Sequence, residues 1–89
     1  MKTTYFEPID QETEKLVSDV INCAFKVYTT VGPGLLESVY ETCLCFELEK
    51  WNIPYQRQVQ VPIEYDGIQL DDGLRIDILV DQKLIIELK

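Results

Sequence analysis

Apolar side chains recur at three- and four-residue intervals through Leu16, Val17, Val20, Ile21, Ala24, Val27, Tyr28 and Val31, the spacing of one face of an α-helix. Asp10 is placed to cap that helix, and Glu12 and Glu14 lie near its start, where the helix dipole favours negative charge. The pattern predicts a helix from Gln11 to about Thr30, stopped by Gly32-Pro33-Gly34. A second helix is expected over about Leu35 to Lys50. Its apolar arc holds Leu36, Val39, Tyr40, Cys43, Leu44, Phe46, Leu48 and Trp51, with Ser38, Thr42, Cys45 and Glu49 opposite. Glu37 and Glu47 fall inside that arc, and an acid facing a core needs a cation, a metal or an exposed helix end. Glu47 is expected to turn outward at the far end of the helix, Cys43 to be in the core and Cys45 on the surface.

After Pro54 the period becomes two. Tyr55, Arg57, Val59, Val61, Ile63 and Tyr65 alternate with Gln56, Gln58, Gln60, Pro62 and Glu64, which predicts a long half-buried strand with an edge position or bulge at Pro62. Asp66-Gly67 turns the chain, Ile68 to Leu70 is a short return strand, and Asp71-Asp72-Gly73 is expected to turn it again. Two strands then close the sequence. One parity, Leu74, Ile76, Ile78, Val80, Leu84, Ile86 and Leu88, is wholly apolar, while the other reads Arg75, Asp77, Leu79, Ile85, Glu87 and Lys89. A three-residue loop, Asp81-Gln82-Lys83, sets Val80 against Leu84, Asp77 against Glu87 and Arg75 against Lys89. A two-residue loop would place Glu87 on the apolar face, where burying a charge is costly. The pattern therefore selects the first register. The fold class is α+β: two helices packed on a three- to four-stranded, mainly antiparallel sheet, with residues 1–9 as a tail and 10–89 as one domain.

Composition narrows the chemistry. The chain has 89 residues, a net charge of −8 and no histidine, which removes histidine-based triads and HExxH metal sites. The acidic balance argues against tight binding to nucleic acid, although a metal held by carboxylates reverses the sign of a site. The three cysteines, Cys23, Cys43 and Cys45, form no C-x-x-C pair, so a reducing, cytoplasmic setting is expected. No run approaches the roughly 20 apolar residues of a membrane span, and no membrane association is expected. Asp77, Glu87 and Lys89 have the form D-x9-E-x-K. Two carboxylates and a lysine on adjacent strands suit a hard cation such as Mg2+ and a phosphate substrate, but the spacing alone is a weak signal, since such a group is usually just a solvated sheet face.

Two separated motifs, Gly34-Leu-Leu-Glu37-Ser-Val-Tyr40 and Arg75-Ile-Asp77-Ile-Leu-Val80 leading to Ile85-Ile-Glu87-Leu-Lys89, carry a resemblance. The chain resembles the GxxExxY proteins, a branch of the PD-(D/E)XK nuclease superfamily, from about Leu16 to Lys89. The resemblance implies a restriction-endonuclease-like core and hydrolysis of DNA or RNA with Mg2+ or Mn2+. It implies Asp77 and Glu87 as metal ligands with the Leu88 carbonyl as a third, Lys89 holding the attacking water, and Glu37 close enough to join the metal. It also offers a reason for Glu37 in the apolar arc: the second helix would pack on the charged face of the sheet. Tyr40 is a candidate substrate contact that could instead only pack, and Arg75 is either a phosphate contact or an ion-pair partner of Glu87 or Asp77. The superfamily core continues with a further helix and strand, and the sequence ends on Lys89. A half-fold is therefore expected, with an uncovered apolar face, an open edge beside the last strand, and self-association through either. The alternative function is a non-catalytic oligomerising or protein-binding module on a nuclease scaffold.

Overall fold

The computed structural model describes residues 2–4 and 10–88, with side chains for all of these except 2–4, 71 and 72. The elements are β1 (Lys2–Thr4), α1 (Gln11–Val31), α2 (Glu37–Lys50), β2 (Tyr55–Tyr65), β3 (Ile68–Val80) and β4 (Leu84–Glu87). The strands form one antiparallel sheet in the order β1-β4-β3-β2, so the α+β class is as expected. Asp10 caps α1 by accepting from the Thr13 backbone N–H at 2.7 Å, and Gly32, at φ 77°, closes the helix with its N–H on the Tyr28 carbonyl.

The closing hairpin adopts the three-residue loop. Val80 pairs with Leu84, Leu79 with Ile85 and Ile78 with Ile86, and the Lys83 N–H donates to the Val80 carbonyl at 3.0 Å. Ile76, Ile78, Val80, Leu84, Ile86 and Leu88 are buried as one face, a direct consequence of period-two alternation. Val20, Cys23, Ala24 and Val27 of α1 and Tyr40, Leu44, Cys45 and Leu48 of α2 complete the core. This overturns two expectations. The helices cover the apolar face of the sheet, not the charged one, because burying this many aliphatic side chains outweighs any gain at the acids. The edge beside β4 is also occupied: Lys2 pairs with Glu87, Thr3 with Ile86 and Thr4 with Ile85. Both features expected to drive self-association are thus satisfied within the chain.

Two further details differ. Asp71-Asp72-Gly73 is not a turn, since β3 runs straight through it. The register changes from Ile63↔Leu70 to Val61↔Leu74, so β3 bulges there opposite Pro62, which has no N–H for the ladder. A Cβ on Gly73 would collide with the Val61 carbonyl oxygen, which explains a glycine at that crossing. The outer half of the β2–β3 ribbon is exposed, from Val61 through Tyr65 and Ile68 to Leu70, instead of half-buried. In α2 it is Cys45 that is buried and Cys43 that is intermediate, and Phe46 is exposed. Apolar residues surround this helix, so its sequence defines no single face and packing decides.

Candidate metal and phosphodiester site

Asp77 lies three residues before the end of β3 and Glu87 at the end of β4, and the Ile78↔Ile86 register puts them opposite one another one step further along. Both side chains are half-buried on the face away from the helices, flanked by half-buried Leu79 and Ile85. The Leu88 N–H donates to Asp77 Oδ2 at 2.9 Å. That bond fixes the carboxylate against the end of β4 and engages only one of its oxygens. Among the described residues no group of three His, Cys, Asp or Glu side chains is arranged to hold a metal. What Asp77 and Glu87 would offer a cation is two hard carboxylates, with the Leu88 carbonyl in the adjoining backbone. Mg2+ and Mn2+ suit such a set, since Mg2+ takes one or two carboxylates and completes its shell with water and substrate oxygens. Lys89 lies outside the described residues.

Glu37 is elsewhere. It opens α2, is exposed, and lines a pocket of about 390 Å³ with Tyr28, Pro33, Gly34, Leu35, Tyr40 and Leu88. The pocket brings Glu37 beside Leu88 but on the helical side of the sheet, and α2 gives it no place in a three-carboxylate group. Tyr40 is engaged with the backbone before its own helix. Its hydroxyl donates to the Gly32 carbonyl at 2.6 Å and accepts from the Leu35 N–H at 3.2 Å, and its ring stacks on Tyr28 at 4.6 Å. The Gly34-to-Tyr40 spacing is thus that of a loop tied back by the first turn of its own helix. Gly34, at φ 88°, supplies the left-handed conformation the loop needs. Arg75 is exposed, faces Gln60 across the ladder, and forms no ion pair with Asp77.

Three residues without an assigned role in the sequence form a connected polar group. Glu41, 7% exposed, accepts from Arg57 Nε at 3.0 Å and Nη2 at 2.7 Å through one oxygen, and from Gln58 Nε2 at 2.8 Å through the other. The Glu41 hydrogen bond raises the Arg57 pKa further above its ordinary value. The signal was present in β2, where Arg57 interrupts an otherwise apolar parity and so calls for a buried acid. Glu47 is also buried, not turned outward. Lys26 Nζ lies 2.9 Å from its Oε1 and Lys50 Nζ 3.3 Å from its Oε2, and the Lys26 contact holds its carboxyl below the usual range. The Lys26 contact is an ion pair whose angle falls short of hydrogen-bond geometry. Burial pushes the Cys45 thiol up to about 11, which makes it a packing group and not a nucleophile.

A family model described as the PD-(D/E)XK nuclease superfamily matches residues 14–89. The chain belongs to that superfamily, and its sheet and helices are a nuclease-like scaffold. No curated protein and no solved structure matches it. Among the described residues no helix is long and apolar enough to cross a membrane.

Proposed function

We propose that the chain is a metal-dependent phosphodiesterase module of GxxExxY type, hydrolysing DNA or RNA with Mg2+ or Mn2+. The observation that supports this most is the cross-strand pair Asp77 and Glu87, with Asp77 Oδ2 held by the Leu88 N–H at 2.9 Å, in a member of a nuclease superfamily. Asp77, Glu87 and the Leu88 carbonyl are the ligands in this proposal. A divalent ion held there neutralises charge on a phosphate and lowers the pKa of a water. Lys89 holds the attacking water and Arg75, exposed on the Asp77 face, is the phosphate contact, while Glu37, on the helical side of the sheet, has no part in the ligand set. The three free cysteines fit a cytoplasmic setting.

A second reading, a protein-binding or oligomerising module, is favoured by the net charge of −8 and by Phe25 and Phe46, exposed by 70% and 60% on the helical layer. Cleavage of single- and double-stranded DNA and RNA with Mn2+ separates the two. The nuclease requires loss of cleavage in Asp77→Ala and Lys89→Ala, whereas equal background in all three proteins leaves the binding module.

A further inference from the structure

The β2–β3 ladder is continuous on both sides of Asp77 and interrupted at it. Arg57 pairs with Ile78 and Val59 with Ile76, but the intervening pair, Gln58 with Asp77, is missing from the register. Gln58 has φ 52°, a left-handed conformation that is unfavourable for a non-glycine residue. Successive strand side chains normally point to opposite faces. Here both Arg57 and Gln58 bond the same carboxylate, Glu41 on α2, so Gln58 points to the helical side. The position across the ladder from Asp77 therefore places no side chain on the Asp77 face.

We infer that Glu41 is a positioning residue for the Asp77 site: by tethering Gln58 on the helical side it keeps the sheet face beside Asp77 open for a hydrated divalent cation. This rests on Asp77 being a metal ligand, which the proposed function assigns. Glu41 itself does not touch the metal. The strain at Gln58 persists because a buried, doubly engaged carboxylate over-determines it, as strained backbone at functional sites generally requires.

Three variants and two readouts test this. Glu41→Ala removes the tether. Gln58→Val favours the extended conformation and would return a side chain to the Asp77 face, since a β-branched residue resists positive φ. Gln58→Gly keeps the left-handed backbone without the amide. Mn2+ affinity, measured by calorimetry, should fall about tenfold in Glu41→Ala and Gln58→Val, in line with lost outer-shell support, and hold in Gln58→Gly. A merely structural loss would instead weaken Gln58→Gly and Gln58→Val alike, and that result overturns the inference. The second readout needs no metal: the strong amide-to-Hα Overhauser effect of positive φ at residue 58 should be present in the wild type and lost in Glu41→Ala. Its persistence there overturns the tether, and if Glu41→Ala does not fold, Gln58→Val against Gln58→Gly carries the comparison. A wild type that binds no Mn2+ yet loses the effect in Glu41→Ala rejects the metal reading of Asp77 and leaves the tether standing.

Discussion

Tyr40 shows how a residue that looks like a ligand-binding group can be spent on its own backbone. Its hydroxyl satisfies two groups of the Gly32–Leu35 segment that a helix end leaves without partners. Tyr40→Phe should cost about 1 kcal/mol of stability in urea denaturation and leave Mn2+ affinity within error; a loss of affinity at unchanged stability would make Tyr40 part of the site after all. Glu47 is the second residue whose sign can be worked out. Its folded pKa lies below the ordinary 4.5 because of Lys26, so its charged form contributes stability above that value and loses it as pH falls through the lower folded value. Glu47→Gln should therefore destabilise the protein at pH 7, and the difference from wild type should shrink below about pH 4. A difference independent of pH would mean that packing, not the Lys26 pair, is what the carboxylate supplies.

At the scale of elements, the closing hairpin was legible and α2 was not. The hairpin has one face of uninterrupted aliphatics and two acids on the other, so a single register satisfies burial, and that register is the one observed. In α2 apolar side chains occur all round, and which ones are buried depends on where α1 and the sheet lie, which periodicity does not encode. The same ambiguity misdirected Glu37: its place in the apolar arc suggested the charged sheet face, whereas the helix sits on the aliphatic one. The strand β1 lies in a stretch too short to carry a pattern, and its pairing with β4 is set by the edge it joins. Asp71-Asp72-Gly73 has the composition of a turn but follows from Pro62, whose missing N–H lets β3 bulge past it. Gly73→Ala should drive a Cβ into the Val61 carbonyl and cost about 1–3 kcal/mol in thermal or urea unfolding. Unchanged stability would show that the two strands are not this close at the bulge.

Across the whole molecule, the helical layer and the candidate site lie on opposite faces of one sheet. The aliphatic face binds the helices and gives the chain its core, and the acid-bearing face is left half-buried. For a molecule of net charge −8, the proposed approach to a polyanion is favoured where a cation reverses the local sign. Everything proposed for phosphodiester chemistry therefore depends on Asp77 and Glu87 holding that cation. Calorimetric titration of Mn2+ into the wild type, Asp77→Ala and Glu87→Ala tests this most directly. One Mn2+ bound per chain in the wild type, with binding lost in each variant, is the predicted result; binding of equal strength in all three, or in none, would contradict it.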